Sequence, residues 1–288
     1  LHCDFSTPSA WRAKPTEPRK PTSFIAAETV SQTLHGYEKN NLFLFLRSNF
    51  GAEDALRLMK DYRVGTSKHW PGSCVFWQTD TDGNVRTGKV MLYNADTGKR
   101  VKEPFNHVTW VHSLLRLPDF NLRQCFFGEH LLPMNRGKPV AIVESEKTAL
   151  VATYYLPEYV WLATGGKNGR FNADALRVLK GRQVILYPDV GATDQWQQKL
   201  SLLRNLGIEA SIFNYLEEVA TDNERTAGLD IADYLLQIEP DQAILQSMIR
   251  RNPMLQKLID DLQCTLVSVE RYNPDTDAIH KPSNTEKQ

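Results

Sequence analysis

Short apolar segments alternate with helix-like segments through the second half of the chain. The apolar runs predict strands at residues 140–143, 159–163, 183–187 and 208–215. Amphipathic stretches between and after them predict helices at residues 147–155, 172–179 and 194–206. Apolar strands that alternate with helices are typical of parallel βαβ units buried on both faces. This half therefore predicts a parallel α/β sheet flanked by helices.

The first half follows a different pattern. Helices are predicted at residues 26–32, 42–46 and 53–59, with Gly51 ending the second. Strands are predicted at 74–78, 85–93 and 108–111, and Asp82-Gly83 is a strong hairpin signal between the first two. Strands this short and closely spaced leave no room for βαβ crossovers, so they predict a small antiparallel sheet in an α+β subdomain.

The ends of the chain differ from both halves. Residues 1–23 are rich in proline, lysine and arginine, which indicates a basic linker; a solvated linker is favoured over an arm that touches phosphate. Two amphipathic helices are predicted at 231–238 and 242–262, the second interrupted near Pro253. The predicted division is linker 1–23, α+β subdomain 24–135, parallel α/β domain 136–216, C-terminal helices 217–264 and disordered tail 265–288.

Composition and charge narrow the function classes. The chain has 288 residues, 41% of them hydrophobic, which excludes a fibrous or wholly disordered protein. Its 34 basic and 34 acidic residues balance, so affinity for a polyanion must come from local patches. The apolar runs are too short for a membrane span, no secretory signal opens the sequence, and the cysteine spacing suits neither zinc nor disulfides. We expect a cytoplasmic protein with no membrane partner.

Charged and glycine residues follow three of the predicted parallel strands. Glu144 follows the first strand, the loop 164–170 with Gly165 and Gly166 follows the second, and Asp189 follows the third. Because ligands bind at the carboxyl ends of the strands in an open parallel sheet, these residues are expected to converge.

A divalent cation fits two carboxylates at neighbouring strand ends. Mg²⁺, or Mn²⁺ in its place, takes oxygen ligands and commonly needs only one or two carboxylates when it also clamps phosphate. Predicted phosphate contacts come from Lys147, Gly165, Gly166, Lys167 and Arg170. Each residue alone also has a structural explanation, as a helix-start acid, a turn aspartate or a plain loop glycine. Their shared edge favours the functional interpretation.

Four segments resemble the TOPRIM domain of topoisomerases, bacterial-type primases and some nucleases. They are V-A-I-V-E-S-E-K-T-A at 140–149, T-G-G at 164–166, V-I-L-Y-P-D-V-G-A at 184–192 and G-L-D-I-A-D-Y-L at 228–235. Within that group the match is closest to primase-type members carried by phages and mobile elements. Upstream, Y-R-V-G at 62–65 and the hairpin at 75–93 resemble the region before TOPRIM in primases. The resemblance covers about residues 40–240.

The resemblance implies roles for the acidic residues. Glu144 matches the proposed general acid/base, and Asp189 matches the first aspartate of a D-x-D metal motif. Asp230 and Asp233 match an acidic pair that often follows the domain, and they are candidate metal ligands together with Glu144, Asp189 and Asp194. The second D-x-D position is Gly191, which implies weaker metal binding or one site fewer. Asp194 either substitutes for it or caps the next helix.

Basic and aromatic residues in the first half suggest a nucleic-acid surface. Arg86 and Lys89, together with Lys99, Arg100 and Lys102, lie near Trp77 and Tyr93. The alternative, equally weighted, is that both aromatics belong to the core.

The resemblance implies a primase-like TOPRIM protein that binds single-stranded DNA, nucleotides and Mg²⁺ or Mn²⁺. It implies primer synthesis by a nucleotidyltransferase, with a replicative helicase as a candidate partner. A catalytically degenerate nucleic-acid-binding TOPRIM and a TOPRIM nuclease remain open alternatives. A phospho-receiver domain is disfavoured, because its acidic pair should follow the first strand.

Overall fold

The first half of the protein forms an antiparallel sheet. The computed structural model describes residues 20–166 and 171–267. The first sheet has the order β1-β2-β3-β4, with strands Val64–Thr66, Cys74–Thr79, Val85–Met91 and Val108–Trp110. The predicted hairpin joins β2 to β3. Strand β1 is not predicted from the sequence, because its three residues are too few to show a period.

Three helices accompany this sheet: α1 (Ala27–Ser31), α2 (Asn41–Asp61) and α3 (Val111–Leu114). The side chain of Asn40 caps α2 by accepting the N–H groups of Leu42 and Phe43. Gly51 has φ 81° and ψ 166°, so the predicted break appears as a kink between two helical segments.

The second sheet is parallel, as the sequence predicts. Its order is β6-β5-β7-β8, with β5 Val140–Val143, β6 Val160–Ala163, β7 Val184–Leu186 and β8 Ala210–Ile212. The crossovers contain α4 (Glu146–Tyr155), α5 (Ala173–Leu176) and α6 (Thr193–Asn205). Because β5 pairs with both β6 and β7, the residues that follow these three strands are neighbours.

Within the described residues, the helices after the parallel sheet are α7 Tyr215–Val219, α8 Asp222–Ala227, α9 Ile231–Leu235, α10 Pro240–Arg251 and α11 Met254–Leu262. The break before Pro253 is as predicted. The last predicted strand is shorter than residues 208–215, because Tyr215 begins α7. Helix α8 was not predicted; it buries no residue and is held by a Thr221–Glu224 capping box, so it has no apolar period to detect.

A shared core joins the two sheets. Phe50 of α2 and Phe76 of β2 belong to the same buried cluster as Trp161 of β6. Tyr62 donates a hydrogen bond to the carbonyl oxygen of Trp161 at 3.0 Å. The predicted fold class, a parallel α/β sheet flanked by helices and preceded by an antiparallel α+β part, is confirmed.

Two aromatic residues considered for nucleic-acid stacking lie in the core instead. Trp77 is 1% and Tyr93 is 2% exposed, because both pack within their sheet. The predicted linker lies almost wholly, and the predicted tail mostly, outside the described residues. Across residues 20–166 and 171–267, the helices are too short or too polar to cross a bilayer.

Candidate nucleotide and metal site

The carboxyl edge of the parallel sheet opens into a pocket of ≈ 510 Å³, which we call the Glu144 pocket. Glu144 follows β5 and Asp189 follows β7, and both line it. The exposed cations Lys99, Arg100 and Lys102, from the loop after β3, line the same pocket. One cavity thus holds both acidic and basic side chains, a combination that suits a metal-bound phosphate group.

Glu144 presents an unpaired carboxylate oxygen. Its Oε2 atom is buried and has no hydrogen-bond partner among the described residues. Backbone bonds fix the residue, since its carbonyl oxygen accepts the N–H of Gly165 at 3.0 Å. A buried carboxylate oxygen without a donor is costly, so this atom is suited to bind a cation or to accept a proton.

The loop that carries Asp189 is held from two directions. The N–H of Val190 donates to the carbonyl oxygen of Leu229 at 2.8 Å. The N–H of Gly191 donates to Glu217 Oε2 at 2.7 Å, and Glu217 also pairs with Arg225. Glu217 of α7 thus brings a carboxylate to the position where the D-x-D pattern expects a second one, but uses it to fix the loop.

Lys199 of α6 lies behind the two acids. Its Nζ atom is buried, lies 3.7 Å from the centre of the Trp196 ring, and has no hydrogen-bond partner among the described residues. Burial lowers the pKa of Lys199, while the charges of Glu144 and Asp189 act to raise it. The sequence does not single out Lys199, because nothing in its helical spacing indicates which charges it faces.

Lys89 and Glu146 form a buried ion pair in the lining of the pocket. Lys89 Nζ lies 3.1 Å from Glu146 Oε2 and donates to the carbonyl oxygen of Gly165 at 2.9 Å. Their side chains are 9% and 1% exposed. Lys89 is predicted to bind phosphate, but the structure engages its ammonium group with the protein and ties β3 to α4.

The two glycines of the predicted phosphate loop adopt backbone conformations that favour glycine. Gly165 has φ 80° and Gly166 has φ 141°. A Cβ atom on Gly165 would lie 3.2 Å from Glu146 Oε1, so the loop passes close to the ion pair. Gly166 lines the pocket. Lys167 and Arg170, the predicted cations of this loop, lie outside the described residues.

Asp230 and Asp233 line the pocket but are engaged in capping α9. Asp230 Oδ1 accepts the N–H groups of Ala232 and Asp233, and its Oδ2 accepts Thr148 Oγ1. Asp233 Oδ2 in turn accepts the N–H of Asp230. Burial, followed by the charge of Asp233, raises the pKa of Asp230. These bonds fasten α9 to α4, a structural use of the acidic pair.

The remaining predicted residues divide between the pocket and other places. Lys147 lines the pocket, with its Nζ 5.8 Å from the centre of the Phe45 ring. Asp194 is exposed in the first turn of α6 and does not line the pocket. Arg86 lines a different cavity, where it pairs with the buried Asp80 at 2.7 Å.

The side chains of the pocket supply part of the oxygen ligands that Mg²⁺ or Mn²⁺ needs. In the part of the chain that the structure describes, no three His, Cys, Asp or Glu side chains are grouped as a ready-made metal site. Glu144 and Asp189 both line the pocket and supply carboxylate oxygens. Such a site needs water and phosphate oxygens to complete the shell, which is usual for Mg²⁺.

Comparison with known proteins places the chain in a family. The model of the family described as "Domain of unknown function (DUF6371)" matches residues 40–190, more than half of the chain, and the protein belongs to this family. A search of curated proteins finds no match.

Several solved structures of primase domains are similar to this protein. The RNA polymerase domain of Mycobacterium tuberculosis primase DnaG, in complex with double-stranded DNA, has a TM-score of 0.50 and 12% identity, with 78% of each chain covered. The same domain without DNA has a TM-score of 0.49 and 12% identity, covering 78% of this chain and 81% of that one. The primase fragment of the bacteriophage T7 primase-helicase has a TM-score of 0.40 and 15% identity, covering 75% and 81%. The first of these comparisons shows a fold of the DnaG-type primase catalytic core.

Proposed function

We propose that this protein binds single-stranded nucleic acid and nucleoside triphosphates at the Glu144 pocket and joins nucleotides into short primers. The observation that carries the proposal is one cavity lined both by the acids Glu144 and Asp189 and by the cations Lys99, Arg100 and Lys102. The fold shared with a primase domain that was solved with DNA supports it.

The charged groups have separate tasks in this proposal. Lys99, Arg100 and Lys102 bind the phosphate oxygens and the nucleic-acid backbone, since they are exposed and line the cavity. Glu144 and Asp189 would hold Mg²⁺ or Mn²⁺, which when bound stabilises negative charge on the phosphates and the leaving pyrophosphate.

Glu144 also accepts the proton in this account. The 3′-oxygen of one nucleotide forms a bond to the α-phosphorus of the next, and the bond to pyrophosphate breaks. Glu144 Oε2, buried and without a donor among the described residues, takes the proton of the attacking hydroxyl. Lys199 offsets the negative charge of the two acids, because its charge couples to both.

A primer-synthesis assay tests the proposal. A single-stranded template, labelled nucleoside triphosphates and Mg²⁺ or Mn²⁺ are incubated with wild type, Glu144→Gln, Asp189→Asn or Asp194→Asn. We expect products from wild type and from the Asp194→Asn control, whose side chain lies outside the pocket. The other two variants should fold normally by circular dichroism and give no product. Full synthesis by either would refute the assignment.

A second candidate function is nucleic-acid binding without chemistry. It is favoured by Gly191 at the second D-x-D position and by the engagement of Asp230 and Asp233 in a helix cap. If wild type bound nucleic acid saturably but bound no Mn²⁺ and formed no products, binding without chemistry would be the correct function. Shortening of the labelled strand by metal alone would indicate a nuclease.

Further parts of the proposal rest on the sequence motifs. We propose that the protein belongs to the phage and mobile-element type of primase and works with a replicative helicase. We also propose the division at residues 24–135, 136–216 and 217–264. Limited proteolysis would test the first boundary, because residue 136 lies in the connection before β5 and cleavage should concentrate there.

A further inference from the structure

An aromatic patch lies on the surface of the first half of the protein. It consists of Trp70, Phe105 and His107. The Phe105 and His107 rings stack with centroids 4.2 Å apart, and the Trp70 and His107 rings meet edge to face at 5.1 Å. Phe105 is 53% exposed, whereas Trp70 is half-buried against a core cluster. The exposed Phe105 ring thus packs on the His107 ring, which in turn contacts the half-buried Trp70 ring.

The loop at 99–107 connects this patch with the Glu144 pocket. Lys99, Arg100 and Lys102 line the pocket at one end of the loop, and Phe105 and His107 lie at the other. The loop folds back on itself, because the N–H of His107 donates to the carbonyl oxygen of Val101 at 3.3 Å. The three cations and the Phe105 and His107 rings are therefore carried by one folded loop that reaches the pocket.

Asn41 ties the Trp70 side of the patch to the pocket as well. Its backbone N–H donates to the carbonyl oxygen of Gly72 at 2.9 Å. Its side-chain amide donates to the carbonyl oxygen of Tyr93, a pocket residue, at 2.8 Å. The tryptophan loop and the pocket wall are thus held by the same residue.

The charge of this surface matches a polyanion. The segment 99–107 contains three cations against one acid, Glu103, and Lys68 lies next to the tryptophan loop. Cations that track a phosphate backbone beside rings that stack bases form the common pattern of single-strand binding. A purely apolar protein partner would gain nothing from the lysines and the arginine.

We propose that the aromatic patch stacks bases of a single-stranded nucleic acid whose backbone follows Lys99, Arg100 and Lys102 into the Glu144 pocket. This inference rests on the proposed function, because it describes the path of the strand to that site. The stacking surface is Phe105 with its Trp70 and His107 support; Trp77 and Tyr93 are buried.

Fluorescence anisotropy with a labelled oligothymidylate of roughly 12 nucleotides tests the inference. Phe105→Ala should weaken binding about 5- to 150-fold, the range for losing one stacked base. Phe105→Tyr keeps an aromatic face and should bind within about twofold of wild type. Phe24→Ala is the matched control, because Phe24 is also an exposed phenylalanine, at 45%, but belongs neither to the aromatic patch nor to the pocket lining.

Salt dependence separates stacking from charge. Phe105→Ala should leave the slope of log affinity against log salt unchanged. Lys102→Ala should reduce the magnitude of this slope by about one, the value for the loss of one phosphate contact. Ultraviolet irradiation of the complex with an iodouracil oligonucleotide should cross-link the oligonucleotide to Trp70, Phe105 or His107.

The outcomes distinguish this inference from the proposed function. If wild type binds the strand but Phe105→Ala matches Phe24→Ala, the inference is wrong, the patch is assigned to a protein contact, and the proposed function stands. If wild type binds no strand, both are wrong.

Discussion

The buried pair between Lys89 and Glu146 provides a sharp test of how the pocket is built. Replacing Lys89 with methionine keeps most of the side-chain volume and removes the charge. The change leaves Glu146, whose side chain is 1% exposed, without its cation. Glu146 Oε1 already lacks a hydrogen-bond partner among the described residues, so both carboxylate oxygens would then be buried and unpaired.

The expected cost follows from that burial. Removing one partner of a buried ion pair typically destabilises a protein by about 3–5 kcal/mol, because the other charge stays desolvated. Lys89→Met also removes the charged hydrogen bond to the carbonyl oxygen of Gly165. We expect Lys89→Met to lower the free energy of unfolding by about 3–5 kcal/mol. The double variant Lys89→Met/Glu146→Leu should recover most of this loss, because no charge remains unpaired.

Urea unfolding followed by circular dichroism measures Lys89→Met, Glu146→Leu and the double variant, and the three values give the coupling in a double-mutant cycle. Lys180→Met serves as the control, since Lys180 is exposed and should change stability by less than about 0.5 kcal/mol. If Lys89→Met matched that control, the pair would not be structural. Lys89 would then be available for the phosphate contact that the sequence predicts.

Three further predictions concern Glu129, Glu217 and Tyr62. Burial raises the pKa of Glu129 from 4.5 to about 7, so its folded state holds the proton more tightly than the unfolded state. As pH rises from about 4.5 through about 7, the free energy of unfolding of wild type, measured with urea, should fall by up to roughly 3 kcal/mol relative to that of Glu129→Gln. If the free energies of unfolding of the two proteins changed with pH in parallel, this prediction would be wrong. Glu217→Gln should speed hydrogen exchange of the Gly191 amide on the order of tenfold, because a charged acceptor is lost; unchanged protection would count against its role in the loop. Tyr62→Phe should cost about 1–3 kcal/mol in thermal and urea unfolding, since it leaves the buried carbonyl group of Trp161 unpaired; a cost below about 0.5 kcal/mol would show that the bond is dispensable.

The sequence predicts the parallel sheet and the placement of its edge residues well. Buried strands such as β5 and β7 are continuous apolar runs, and parallel topology places the residues that follow them at the same edge. Glu144 and Asp189 could therefore be assigned to one pocket before any coordinates.

The partners of the charged residues could not be predicted in the same way. Lys89 meets Glu146 across 57 positions of sequence, and Glu217 meets Gly191 across 26. Such contacts depend on how distant elements pack against each other, and the spacing of residues within one element does not indicate this. The cap formed by Asp230 and Asp233 is different, because acidic side chains at N-cap and N3 before an apolar run are a local signal of a helix start.

Anomalous diffraction tests the central claim most directly. A crystal of the wild-type protein would be soaked with Mn²⁺ and a non-hydrolysable nucleoside triphosphate, with an Asp189→Asn crystal treated identically. We expect a manganese peak in the Glu144 pocket of wild type, coordinated by Glu144 or Asp189 and by triphosphate oxygens, with Lys99, Arg100 or Lys102 on the phosphates. The peak should weaken or vanish in Asp189→Asn. A nucleotide and its metal bound away from this pocket, or an unchanged peak in the variant, would contradict the account.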